Sequence, residues 1–355
     1  MTETAIRMLE VRGTHRQVGQ QIGEACRLSL QEIVAQARKE PGPGADWEAV
    51  LRKASLFLEA TRPVYPQYVE ELEGIAEGAA LPFLDVFAAS CEELWEQALW
   101  RGCTDFAARG PATTDGSTLL AHTNDLDATL EEHLVILKVR AGDEPEFLAV
   151  SPGGLGLSAG FNAAGIALTG NEVTANDVRP GVPRTMVVRA ILAARRLGQA
   201  LDACLFPQRA SSYNNIVADA WGEVYAMEGS ATDCEPIYIE DNILAHANHY
   251  VSPPMRRFEA APGEMGDSIV RHNRAMRLLR ENYGQLSVER FQKLLADHAN
   301  YPLSICKHGY ESVTVFSIII DLNRLCAWIG RGRPCQTTYL PYYLQPWAPP
   351  ADSPG

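Results

Sequence analysis

The chain has 355 residues and a formal net charge of -13 at pH 7. That acidity argues against nucleic acid or an anionic membrane surface as partner, and the length suffices for one large or two conventional domains with a substantial core. No run of about twenty apolar residues is present to span a bilayer, and the opening MTETAIRMLEVRGTH lacks the apolar stretch of a signal peptide, so the expected location is cytoplasmic.

In chain order, the first hundred residues read as helical. Val18, Ile22, Cys26, Leu30, Ile33 and Val34 recur at helical spacing after Gly13 and Thr14, predicting one buried stripe. Trp47, Val50, Leu51, Ala54, Leu56 and Leu58 predict a second helix ended before Pro63. A third is expected over residues 65–77, closed by Gly78, and a fourth opens at Pro82 and runs through Val86, Phe87 and Leu94. From Cys103 the texture changes to short strand-like runs. HLVILKVR, EFLAV and the paired runs of residues 157–171 fit antiparallel sheet. Residues 182–196, 267–282 and 288–297 return to helical spacing, residues 216–217, 223–227 and 237–239 to strands, and SVTVFSIIIDLNRLCAWIGR reads as a buried hairpin. This order fits an α+β fold with helices outside two stacked sheets. The proline-bearing residues 348–355 are expected to be a loose tail, without an SKL-type address.

The junction at Gly102 and Cys103 carries the chemistry. A thiol is a good nucleophile once ionised, and glycine tolerates the backbone strain that would let Cys103 attack the preceding carbonyl. Cleavage there would free an α-amino group with an ordinary pKa of about 7.7–8.0, so one residue would carry nucleophile and base. Thr-Thr-Asp-Gly at 113–116 is hairpin turn chemistry. The returning run would bring Asn124 and Asp125 beside the new amino terminus, where a carboxylate can hold the ammonium or tune its proton.

The chain resembles the fungal acyl-CoA:isopenicillin-N acyltransferases and their bacterial relatives, a family of cysteine N-terminal nucleophile hydrolases. The likeness is carried by RGTHRQVGQQIGEA, YPQYVEELEGIAEGAALPFLDV, GCTDF, TTDGSTLLAHTND, GFNAAGIALTGN, RPGVPRTMVVRAIL, AHANH, ANYPLSICKH and IGRGRP, in the family's order. The resemblance implies an αββα four-layer sandwich. It also implies a helical segment 1–102 and a catalytic segment 103–355 that remain associated as one intertwined unit after self-cleavage. The implied substrate is a small amide or acyl thioester, with an amine as acceptor where the acyl group is transferred. No cofactor is implied, and acyl-CoA enters as a co-substrate.

Within the resemblance, Asn248 matches the asparagine whose amide donates to the oxyanion, a contact whose loss typically costs about 10²–10³ in rate. Ser230 and Ser304 match serines implicated in maturation or support of the site; a local backbone bond is their ordinary alternative. Lys307 stands where the fungal pattern has arginine, and the two are not interchangeable at a bidentate contact. Leu126 and Asp127 replace aromatic residues, which predicts a less aromatic acyl pocket able to take a polar or cationic group against Asp127; a solvent-facing Asp127 is the plain alternative.

Two other readings stay open. His246 or His249 could serve as the base of an internal Cys-His amidase that needs no self-cleavage, or the chain could be an unprocessed protein that binds acyl compounds. A metal at His246 and His249 lacks further ligands of suitable spacing. The eight cysteines, Cys26, Cys91, Cys103, Cys204, Cys234, Cys306, Cys326 and Cys335, show no CxxC or zinc-type spacing. Apart from Cys103 they read mostly as reduced core residues, and no metal is expected.

Overall fold

The computed structural model describes residues 5–41, 46–95 and 102–346. Strand β1 (Arg7–Gly13) leads into α1 (His15–Ala25), whose start is fixed by a reciprocal cap between Thr14 and Gln17. Val18, Ile22, Cys26, Leu30 and Val34 are buried as the stripe predicts, but they span two helices: the backbone leaves helical geometry at Cys26 (φ -107°, ψ 14°), and α2 (Arg27–Lys39) follows. Helices α3 (Trp47–Thr61), α4 (Pro66–Ala79) and α5 (Phe83–Ser90) follow. Gly78 does not close α4; it lies inside the helix. A Cβ there would sit 2.3 Å from the Gln20 carbonyl, and one on Gly19 would sit 1.9 Å from the Glu71 carbonyl. Helices α1 and α4 therefore touch backbone to backbone.

The strands after the junction are β2 (Gly102–Gly110), β3 (Gly116–Leu126), β4 (Leu134–Ala141), β5 (Phe147–Pro152), β6 (Gly160–Asn162) and β7 (Ile166–Asn171). Helices α6 (Arg184–Leu192) and α7 (Leu197–Leu205) precede β8 (Asn214–Asp219), β9 (Val224–Gly229), β10 (Cys234–Tyr238) and β11 (Ile243–His246). The chain ends with α8 (Gly266–Glu281), α9 (Val288–Leu295), β12 (Val313–Asp321), β13 (Cys326–Arg331) and β14 (Leu340–Tyr343). The sequence reading did not anticipate β1, α7 or β14. Residues 348–355, read as a loose tail, lie outside the described residues.

Two sheets result. One has eight strands in the order β1-β4-β5-β6-β7-β8-β9-β10, and the other has six in the order β11-β2-β3-β12-β13-β14. Only β1 against β4 is parallel among these pairings; Arg7 lies beside Val135 and Gly13 beside Ala141. The inner faces meet through Ala107, Leu120, Ile136, Leu148, Ile318 and their neighbours. Helices α1–α7 cover the outer face of the larger sheet against Leu9, Val135, Leu137 and Val217. Helices α8 and α9 cover the outer face of the smaller through Leu279, Phe291 and Phe106. The fold is thus an α+β sandwich of four layers, αββα. Strand β4 is apolar on both faces because both are covered, which is why HLVILKVR reads as a near-continuous run. The segment before Cys103 is not a separate lobe: it gives the larger sheet an edge strand and most of one helical layer. No described helix is long and apolar enough to cross a membrane.

Candidate active site

Cys103 sits at the start of β2, in the middle of the smaller sheet, and β3 returns beside it as the Asp-Gly turn predicts. Gly102 pairs with Asp125 and Cys103 with Asn124. Partners directly opposite share a face, so this register sorts the residues onto two sides. Cys103, Asp105, His122 and Asn124 face the other sheet, whereas Asp125 faces α8 and the loop that carries Lys307.

On the inner side, Asn124 Nδ2 donates to Ser158 Oγ (2.8 Å) and lies 3.7 Å from the Cys103 sulfur. It also lies 3.2 Å from His122 Nε2, and His122 Nδ1 is 2.7 Å from Asp105 Oδ1. The carboxylate accepts, so the His122 proton sits on Nδ1 and Nε2 accepts from Asn124. His122 therefore supports the thiol's neighbour rather than the thiol. The sulfur opens into a cavity of about 160 Å³ with Leu126, Leu130, Leu155 and Leu157 in its wall and Trp95 at its edge.

On the outer side the groups converge on the backbone of Cys103. Its amide nitrogen donates to Asn248 Oδ1 at 2.9 Å. Arg271 from α8 donates to the Cys103 carbonyl, to Thr104 Oγ1 (2.9 Å) and to Asn248 Oδ1 (2.8 Å). Asn248 Nδ2 donates to the Glu172 carbonyl (3.0 Å), which leaves one amide hydrogen uncommitted. A second hollow of about 620 Å³ opens here, lined by Asn248, Arg271 and Lys307. Cys103 thus stands between a cavity whose leucine wall is completed by Glu92, Glu172 and Arg184 and a hollow on the side of Asn248, Arg271 and Lys307.

The electrostatics of the uncut chain are unfavourable to a free thiolate. Burial, reinforced by Asp125, Asp105 and Glu172, pushes the Cys103 thiol well above its ordinary range, and Arg271 only partly opposes this. Burial also raises the Asp125 carboxyl against the pull of Lys307 and Arg271, and burial lowers the Lys307 ammonium. Asp125 Oδ1 accepts from Thr314 Oγ1 at 2.7 Å, while Oδ2 is buried with no hydrogen-bond partner among the described residues. Glycine at 102 is also required for room: a Cβ would stand 2.6 Å from Asp125 Oδ2.

The remaining expected residues fall as follows. Leu126 lines the thiol cavity. Asp127 does not reach it; its carboxylate accepts from Thr129 N and Oγ1 (2.8 and 2.6 Å), an exposed turn cap that also keeps its pKa low. Ser230 lies in the turn joining β9 to β10, where it donates to Asp177 Oδ2 (2.9 Å). Ser304 donates to the Cys306 carbonyl (2.6 Å) and shapes the loop that carries Lys307. Neither serine lines the thiol cavity.

His246 is buried in a pair with Glu228 (2.6 Å), which also accepts from the backbone of Val251 and Ser252 and so anchors the loop after Asn248. His249 meets Ser268 Oγ at 2.7 Å, and the same oxygen accepts from Asn248 N at 2.7 Å. Among the described residues no histidine is hydrogen-bonded to the Cys103 sulfur. Burial depresses His249 and its neighbour His272 to about 4, with His246 adding to the effect in both. The ordinary value is about 6.5, so the unfolded chain binds more protons between these limits. The stability these neutral rings confer is present above about pH 6.5 and lost as pH falls toward 4. Melting temperatures measured across that window are expected to fall with pH, and His272→Asn is expected to flatten the slope; equal slopes would remove His272 from the account.

Sequence reasoning missed Arg271 and the Asp105–His122 pair. Arg271 had a signal: it occupies the buried stripe of α8 with Ser268, Ala275, Leu278 and Leu279, where a lone arginine needs acceptors. Cys306 and Cys335, which have no zinc-type spacing in sequence, meet His298 and His308 in space.

The sequence model of the family described as "Acyl-coenzyme A:6-aminopenicillanic acid acyl-transferase" matches residues 112–336, more than half of the chain. The 40 kDa form of acyl-coenzyme A:6-aminopenicillanic-acid-acyltransferase from Emericella nidulans is 25% identical over 339 residues, covering 91% of each chain. The beta-alanyl-dopamine/carcinine hydrolase of Drosophila melanogaster is 25% identical over 221 residues, 55% of this chain and 56% of that one. Among solved structures, a variant of conjugated bile acid hydrolase from Clostridium perfringens superposes with a TM-score of 0.46 at 10% identity, covering 69% of this chain and 98% of that one.

Proposed function

This chain belongs to the acyl-coenzyme A:6-aminopenicillanic acid acyl-transferase family, and from that premise we propose that it is a self-cleaving cysteine N-terminal nucleophile enzyme acting on small amides or acyl thioesters. One observation carries the reading. The backbone nitrogen of Cys103, and not only its sulfur, is held by a side chain, Asn248 Oδ1 at 2.9 Å. An N-terminal nucleophile uses that nitrogen as its base, so a partner for the amine is already in place.

In maturation, the Cys103 sulfur attacks the Gly102 carbonyl, the carbon–nitrogen bond breaks, and the nitrogen gains a proton. Water then hydrolyses the thioester, leaving a Gly102 carboxylate and restoring the thiol. In turnover, the freed amine takes the thiol proton and the thiolate attacks the substrate carbonyl. The free Asn248 Nδ2 hydrogen stabilises the oxyanion, and the leaving amine or thiol takes the proton. Water resolves the acyl-enzyme to an acid; an amine in the polar hollow resolves it to a new amide. The leucine-lined cavity takes the acyl chain, no resident cofactor enters the chemistry, and acyl-CoA is a co-substrate. The two fragments stay together because residues 7–13 remain paired with β4.

Intact mass under denaturing conditions, with activity on acyl-CoA and amides, tests this. The wild type is expected to give two fragments meeting between Gly102 and Cys103, and Cys103→Ala one inactive full-length chain. An uncut but active wild type would overturn the reading in favour of an internal base; uncut and inactive would favour an acyl-binding protein.

A further inference from the structure

Outside the catalytic centre, two loops bring together four side chains that the mechanism does not use. His298, Cys306 and His308 lie in the loop between α9 and β12, and Cys335 lies between β13 and β14. Their ligand atoms all fall within 4.8 Å of one another. His298 Nε2 is 3.1 Å from His308 Nε2, and both Cys306 Sγ and Cys335 Sγ are 3.5 Å from that same nitrogen. The two imidazoles meet edge to face, with centroids 5.0 Å apart and planes at 65°, so both present Nε2 to one point.

Three of these spacings, one of 3.1 Å and two of 3.5 Å, are close to the edges of a small tetrahedron, and the other pairs, within 4.8 Å, need to close by no more than about 1 Å. With metal–sulfur bonds of about 2.3 Å and metal–nitrogen bonds of about 2.0–2.1 Å, a tetrahedral Cys₂His₂ zinc has sulfur–nitrogen edges of about 3.6 Å and nitrogen–nitrogen edges of about 3.3 Å. Thiolate and imidazole donors favour zinc over oxygen-seeking cations such as magnesium or calcium. Four protein ligands fill the coordination shell, which marks a structural rather than a catalytic ion.

We propose that His298, Cys306, His308 and Cys335 form a structural zinc site that ties the loop before β12 to the loop after β13. An imidazole that binds through Nε2 keeps its proton on Nδ1, so Arg333, now 3.2 Å from His308 Nδ1, swings away on loading. The site reaches the catalytic centre through the backbone. Cys306 and His308 flank Lys307, whose ammonium stands beside Asp125 and Gly102, so the ion fixes the loop that carries that charge. The assignment does not depend on the reaction proposed above.

The test uses the full chain in the Cys103→Ala background, so that the buried thiol of the other site contributes no ligand. Elemental analysis is expected to give about one zinc per chain. Replacement by cobalt(II) is expected to give the visible bands of tetrahedral cobalt with thiolate charge transfer in the near ultraviolet. Cys335→Ser, on an exposed loop, and His298→Ala are each expected to lose the bound zinc while keeping the far-ultraviolet circular dichroism. In case a variant fails to fold, the parent protein is stripped with chelator; its melting temperature should drop and return when zinc is restored. A reduced protein that takes up neither zinc nor cobalt, a Cys306–Cys335 disulfide in freshly purified material, or zinc retained equally by both variants would overturn the proposal.

Discussion

Gly102→Ala is expected to leave the purified chain largely uncut, with cleavage slowed by at least about 10²-fold, the cost of misplacing reacting groups by about 1 Å. The added Cβ would lie 2.6 Å from Asp125 Oδ2 and 3.3 Å from Lys307 Nζ. It cannot turn away, because Gly102 and Asp125 are register partners on adjacent strands at the centre of a sheet. Either the carboxylate moves or the peptide does, and both shift the carbonyl that the thiol must attack. Time-resolved mass spectrometry of the freshly made protein reads the rate directly. Asp125→Ala in the same chain makes room again, so its combination with Gly102→Ala should recover the melting temperature without recovering cleavage. Cleavage of Gly102→Ala at the wild-type rate would remove the steric account.

Arg271→Met is expected to lower kcat/KM by about 10²–10³, the range seen when one oxyanion-stabilising donor is lost. The guanidinium holds the Cys103 carbonyl, Thr104 and Asn248 together from one helix position. Methionine keeps the packing of the stem but leaves those buried acceptors short of donors, and hydrogen bonds to charged groups contribute about 1.5–3 kcal/mol. Arg271→Lys keeps the charge but lacks the planar fork that spans two acceptors, so its activity should fall between the two. Because Asn248 and the Cys103 nitrogen both depend on this contact, the loss should appear mainly in kcat, with the pH profile of the amine displaced. A wild-type kcat/KM in Arg271→Met would show that Asn248 is positioned without it.

The sequence carried the pattern of helices outside two sheets because burial on both faces and helical stripes leave local marks. The Asp-Gly turn at 115–116 was enough to return β3 beside β2, and with it Asn124 beside Cys103. Which face each residue takes was harder to read. Asp125 is next to Asn124 in sequence, yet the strand period of two turns it away from the thiol and toward Lys307. Strand β1 did carry a signal, the alternation of Leu9 and Val11 with Glu10 and Arg12, but that opening stretch was weighed only as a leader. Asp127 looked like a pocket residue from the neighbouring motif, whereas its carboxylate is spent on Thr129. The His298, Cys306, His308 and Cys335 cluster was illegible by spacing, because three of its members lie in the loop before β12 and meet Cys335 only through the packing of β12 against β13.

The parallel pairing of β1 with β4 also sets an order of events. Arg7 reaches its neighbour Val135 only after the segment containing Gly102 and Cys103 has been made and the next hairpin has formed. While the chain is continuous, that search costs only the entropy of closing one loop, which grows slowly with loop length. Severed early, the first strand would have to find its place from free solution, at whatever concentration the cell provides. Under the cleavage proposed above, a scissile bond that becomes competent only when Asn248, Arg271 and Asp125 have gathered around it would delay the cut until the sheet is complete. The break would then serve as a record that folding has finished.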